Sequence, residues 1–210
     1  MNGSSESGFA VREAAWRILV AVDTEDAFAG PLLEREEARF DDARDRGLLH
    51  ETVLGVLRHQ PEIDAAFARL STRRPRKVDP PVRAAVRIGL HALLFLDRVP
   101  DHAAVHAAVE AARRGGVGRA TGFVNAILRR ATRDRAHLRA PEPQDGDVAG
   151  LALRSGHPEW WTRRVVGREG WQRARALLAA HERPAPTVLR VRRSADVESV
   201  RASLEADGVG

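Results

Sequence analysis

His102 and His106 stand four residues apart, and Asn125 sits farther on among Phe123, Ile127 and Leu128. On a helix that spacing puts two imidazoles on one face, where they could ligate a metal ion. No third ligand stands near them, so no metal site is expected. His102 is read as a structural residue that hydrogen-bonds the turn around Pro100. Asn125 is a poor mid-helix residue. A buried amide needs partners, and two uses fit: tying two helices together, which is the structural reading adopted here, or pairing with a ligand.

The cations offer a second chemistry. Arg73, Arg74, Arg76 and Lys77 place four positive charges in five residues. Arg113, Arg114 and Arg119 flank the glycines at 115, 116 and 118, and Arg129 and Arg130 close the helix after them. Arg58 ends an earlier helix. Lys77 is the only lysine among 34 basic residues, the net charge is +5, and the isoelectric point is near 11.0. Guanidinium forks suit phosphates and stacked bases. Gathered on one side, these residues would form a patch able to displace counterions from RNA. Such contacts position a nucleic acid without specifying its sequence. Aromatics are only 5% of the chain, so stacking platforms for structured RNA are scarce. Plainer readings stand beside this one. Helix dipoles account for Arg58, Arg129 and Arg130, a solvated surface for any single cluster, and coding bias for the excess of arginine. DNA is not an expected partner.

Signatures of enzymes are missing. There is no glycine-rich dinucleotide or phosphate loop after a strand, no His-Glu-x-x-His pattern and no nucleophile elbow. Cysteine is absent, which excludes disulfides, thiolate metal sites and a cysteine nucleophile among these residues. No apolar run is long enough to cross a bilayer and the N-terminus lacks a signal-peptide pattern, so a cytoplasmic location with no membrane partner is expected.

The elements that must position these groups are helical over residues 9–133. Residues 1–8 read as a disordered N-terminus, with Ser7 capping a helix over Phe9–Val22, where Ala15, Ile18, Leu19 and Val22 keep the 3–4 spacing. Gly30 and Pro31 open a second helix, and Asp41 or Asp42 starts a third that stops near Arg58. Ile63, Phe67 and Leu70 mark a fourth. Asp79 caps a fifth over Val82–Leu96, apolar on most faces and therefore central. Asp101 caps a sixth, and a seventh runs over Arg119–Thr132. Residues 134–150 read as a polar linker. Beyond it come a helix near Pro158, another over Glu169–His181, a strand at Thr187–Val191 and a last helix from Ser194 or Asp196 to Ala206. The expectation is an all-α bundle of about seven helices, then a truncated α+β segment over 151–210, because one strand cannot satisfy its own backbone.

Several ordered motifs carry a resemblance. They are Ala15 to Leu19, Arg44 to Leu48, Gly55 to Arg58, Ile88 to Leu96, Val99 to Val105 with Val109 and Glu110, and Phe123 to Arg129. Together they resemble the NusB-type helical domain at the front of the RsmB family of 16S rRNA (cytosine-5) methyltransferases. Ser155 to Trp161 is similar to that family's entry into its methyltransferase region, and Leu189 to Val191 to the strand beyond. Arg192 departs from the asparagine usual in the family. The resemblance implies a NusB-like RNA-binding domain acting on 16S rRNA and partnered by the methyltransferase domain. S-adenosylmethionine and two catalytic cysteines are expected in that C-terminal domain, beyond residue 210. No cofactor and no catalytic residue are expected within this chain. Two alternatives remain: a free-standing NusB-type antitermination factor that binds RNA with a ribosomal protein, and a helical module that binds only proteins.

Overall fold

A computed structural model describes residues 3–97, 99–182, 190–192 and 196–206, with side chains from residue 8 onward. Eleven α-helices lie among them: α1 (Gly3–Thr24), α2 (Ala29–Glu37), α3 (Ala43–Arg58), α4 (Gln60–Leu70), α5 (Pro80–Phe95), α6 (Asp101–Arg114), α7 (Thr121–Asp134), α8 (Val148–Arg154), α9 (Glu159–Glu169), α10 (Trp171–Glu182) and α11 (Val197–Ala206). The total exceeds the expected seven or so. Seven helices do lie between Gly3 and Asp134, and four more lie beyond. No strand occurs among the described residues. The expected strand falls partly outside them, at 187–189, and the described Arg190 and Val191 are irregular.

The centre of the fold is α5. Every residue from Val82 to Leu94 is buried, and the helix packs against α1, α3, α4, α6 and α7. Pro80 and Pro81 occupy its first turn, where a missing N–H costs nothing. Arg83 and Arg87 are buried in it and therefore need partners. Arg83 donates to Asp23 of α1 at 2.6 and 2.9 Å and to the Val78 carbonyl at 2.8 Å. Arg87 forks onto Asp64 of α4 with two bonds of 2.8 Å. Two ion pairs thus pin the helices on either side of α5.

Caps follow the sequence in part. Asp42 accepts from the Arg44 N–H at 2.8 Å and starts α3. Asp79 stands at the cap of α5 but makes no side-chain cap bond. Asp101 is not the cap of α6. Pro100 holds that place, and Asp101 accepts from Arg135 at 3.1 Å. Helix α1 begins at Gly3, so Ser7 lies within it instead of preceding it. Asp196 accepts from the Ser199 N–H at 3.1 Å at the start of α11, whereas Ser194 lies outside the described residues.

The stretch read as a linker packs onto the bundle. Leu138 and Ala140 are buried. Between them Arg139 stacks over Phe95 at 4.1 Å, donates to the Leu94 carbonyl at 3.1 Å, and donates to Glu62 at 2.8 Å. Glu62 is only 1% exposed. The same carboxylate oxygen accepts from the Ala140 N–H at 2.7 Å and lies 3.5 Å from Arg154 of α8. Gly156, with φ +68°, brings its Cα against the Arg58 carbonyl at the end of α3. A Cβ there would lie 2.1 Å from that oxygen.

Candidate nucleic-acid interface

The basic loop folds as a short 3-10 turn, Pro75–Lys77, between α4 and α5. Pro75 is buried and anchors it. Arg83 holds it from beneath by donating to the Val78 and Pro75 carbonyls at 2.8 and 3.2 Å. The loop is therefore presented on a fixed base. On one flank a cleft of about 400 Å³ opens, lined by Thr72, Arg73, Lys77, Val78, Asp79 and Val82 on one wall and by Ala120 and Phe123 on the other. On the other flank Arg74, Arg76 and Lys77 face Gln60, Pro61, Asp64 and Ala68 of α4 across a hollow of about 690 Å³. Lys77 borders both.

Tertiary structure separates the candidate cations. Arg73, Arg74, Arg76 and Lys77 carry no ion pair among the described residues, and neither does Arg119 in the 3-10 turn Gly118–Ala120 that leads into α7. Arg119 directly precedes Ala120, a wall of the first cleft. By contrast, Arg113 and Arg114 are drawn to Glu110 at 2.8 and 3.1 Å, and Arg114 lies over Phe9 at 5.6 Å. Arg130 reaches the Leu70 carbonyl at 3.5 Å and Asp134 at 3.6 Å. Arg58 stands at the end of α3, beside the Gly156 contact and away from the loop.

Asn125 and Arg129 belong elsewhere. They line a groove of about 460 Å³ between α6 and α7, together with Asp101, His102, Val105, His106, Val109 and Thr132. Arg129 Nε donates to Asn125 Oδ1 at 3.1 Å. That bond runs within α7, so it does not tie the hairpin as the structural reading of Asn125 required. What holds the α6–α7 pair is apolar packing through Ala104, Val105, Ala108, Val124 and Leu128. His102 makes no hydrogen bond to the Pro100 turn among the described residues; it is exposed and forms part of the groove wall. No group of three or more His, Cys, Asp or Glu side chains among the described residues could hold a metal ion.

Sequence reasoning missed two clusters. One is the Glu62 joint. Its only local sign is an acid in the first turn of α4 after Pro61, with partners about 77 residues away. The other is a ring stack built on buried His91. His59 lies 4.1 Å from Phe95, and His91 lies 5.6 Å from the same ring. Burial pushes the His59 imidazole down to about 4 and the His91 imidazole down to about 3, helped in both by the Arg58 charge. Arg83 and Arg87 did leave a signal, as two cations one turn apart in an apolar helix.

The bundle and its basic loop have relatives among known proteins. Residues 10–133 match the model of the NusB family. The chain belongs to the NusB family. Its match spans α1 to α7, the bundle that carries the basic loop. Residues 157–210 match the RsmF/B-like methyltransferase ferredoxin-like domain. Beyond the bundle, then, this NusB-family chain continues into a stretch similar to a ferredoxin-like domain. The ribosomal RNA small subunit methyltransferase B of Pseudomonas putida is 34% identical over 95% of the chain, and the probable one of Bacillus subtilis is 29% identical over the same share. The chain spans 44% of the length of each. Among solved structures, antitermination factors NusB and NusE in complex with double-stranded RNA match with a TM-score of 0.55 at 20% identity, over 62% of this chain and 98% of that one. That likeness shows the fold. No helix among the described residues is long and apolar enough to cross a membrane.

Proposed function

We propose that this chain is the RNA-engaging front end of an S-adenosylmethionine-dependent 16S rRNA cytosine-C5 methyltransferase. Its partners are 16S rRNA and the catalytic domain of the same protein, in the cytoplasm. The observation that carries the RNA role is the cleft between Arg73 and Lys77 on one wall and Ala120 and Phe123 on the other. Its two cations, Arg73 and Lys77, have no ion pairs among the described residues and outnumber the one acid of the lining, Asp79, so phosphates would meet a net positive wall. Buried Pro75 and Arg83 fix the loop in advance, which lowers the ordering cost of binding.

Residues 157–210 open an α+β unit in this reading, supported by their match to the ferredoxin-like domain. S-adenosylmethionine does not fit the described residues. A dinucleotide-like cofactor site needs a glycine loop between a strand and a helix N-terminus, and neither the strand nor that loop is among them. No methyl-transfer step is derived from this chain. The free-standing antitermination reading is weaker, because a methyltransferase-type module lies beyond the bundle.

A salt titration tests the proposal. Binding of a 16S rRNA fragment is measured at rising potassium chloride for the native chain and for Arg73→Gln with Lys77→Gln. The expected result is weaker binding and a log–log salt slope shallower by about one for each cation removed. An unchanged slope removes the loop from the interface.

A further inference from the structure

The α6/α7 groove is a second site, and its chemistry differs from that of the basic cleft. Its floor is apolar, formed by Val105 and Val109. One wall carries His102 and His106, one turn apart on α6. His106 is held edge-on against Phe9 at 5.2 Å. The opposite wall carries Asn125, Arg129 and Thr132 of α7.

The hydrogen bonds already made decide what this wall can offer. Arg129 Nε donates to Asn125 Oδ1, which uses the amide's acceptor and orients both groups. What remains open is the Asn125 Nδ2 and the two terminal guanidinium nitrogens of Arg129, all donors. The Thr132 hydroxyl donates to the Arg129 carbonyl at 2.9 Å. At the far end the Asp101 carboxylate is taken by Arg135 at 3.1 Å. The groove therefore combines an apolar floor, a flat imidazole face and a row of unused donors. That set suits a planar ring with adjacent acceptors on its edge, joined to an anion.

Resting on the RNA-engaging reading above, we infer that this groove seats one unpaired nucleotide of the bound RNA. The base lies on the valine floor between the His102–His106 face and Asn125. Its acceptor edge meets the Asn125 amide, and its phosphate meets Arg129. Cytosine offers such an edge, with N3 and O2 side by side, only when it is not paired. The volume of about 460 Å³ falls in the range of small-ligand clefts. RNA is favoured over a peptide because Arg129 makes no ion pair among the described residues and the one acid of the groove, Asp101, is already taken by Arg135, which leaves a cationic, donor-rich wall for a phosphate.

The test uses the chain as it stands, with two fluorescent probes measured by anisotropy at low salt: a short oligocytidine and a G·C duplex of the same length. Asn125→Asp turns the open donor into an acceptor. Arg129→Gln removes the guanidinium at an exposed position, so it serves even where the first variant melts early. Each is expected to weaken oligocytidine binding about tenfold. Duplex binding should stay within about twofold of the native chain. The pair Arg73→Gln with Lys77→Gln is expected to weaken both probes. Native oligocytidine affinity in both groove variants overturns the inference while leaving the front-end reading intact, and assigns the groove to a protein or to no ligand. If the native chain binds neither probe, the front-end reading falls and the inference with it.

Discussion

His91 is fully buried, and neither of its ring nitrogens has a hydrogen-bond partner among the described residues. It fits because Gly55 lies beneath it, where a Cβ would come within 2.2 Å of Nε2. The Glu51 carboxylate lies 3.8 Å from Nε2, beyond hydrogen-bond reach, and burial outweighs its attraction and keeps the ring neutral. In the unfolded chain both His91 and His59 titrate near 6.5; in the folded chain burial holds them down to about 3 and about 4. Above pH 6.5 neither state binds these protons, and their contribution to stability is fully present. As the pH falls from 6.5 toward 4 and then 3, the unfolded chain takes up protons that the folded chain refuses, so stability declines. Urea unfolding between pH 7 and pH 4 should show that decline in the native chain and a shallower one in His91→Leu. An equal slope in the variant would mean that His91 is not buried neutral. Glu62 is the second residue of this kind. Replacing it by Gln removes the charge that Arg139 and the Ala140 N–H share. A loss of about 2 kcal/mol is expected, the scale of hydrogen bonds to a charged group.

Helices approach closely here because glycines stand at the crossings. Gly89 of α5 faces Leu128 of α7, and a Cβ at Gly89 would lie 2.4 Å from the Leu128 side chain. Gly115 lets the end of α6 rest on the Trp16 ring, whose Nε1 donates to the Pro81 carbonyl at 2.8 Å. Alanine is the better helix former, so Gly89→Ala would stabilise an isolated helix by up to about 1 kcal/mol. Overpacking of a core contact costs about 1 to 3 kcal/mol. The clash should win, and thermal unfolding of Gly89→Ala should come below that of the native chain. Helices over most of this stretch were legible from apolar spacing and from Pro and Asp at their starts, because those signals are local. The Asp101 cap and the Asn125 tie were misread for the opposite reason. Each side chain chose between a near partner and one brought in by the fold, and Asp101 found Arg135, 34 residues on.

For the whole molecule the weight falls on residues 138–156, which couple the bundle to α8 and α9. The NusB match ends at 133, yet Leu138 belongs to the bundle core and Arg139 closes over Phe95 and Glu62. A chain cut after residue 133 loses the Arg139 and Ala140 N–H groups that hold the Glu62 carboxylate, and hydrogen bonds to a charged group are worth about 2 kcal/mol. A chain cut after residue 141 keeps that pair. Urea midpoints of the two should differ accordingly, and equal midpoints would make the joint energetically idle. By itself the sequence determined the helical class, the central place of α5, the likeness to a NusB-type domain and the basic loop. All of these rest on local periodicity, composition or ordered motifs. Only the tertiary structure decided which cations remain unpaired, that Arg73 and Lys77 meet α7 across a cleft while Asn125 and Arg129 face another groove, and that Glu62 is the joint. These are contacts between residues tens of positions apart, and no local pattern in a chain encodes which distant charges will neutralise one another.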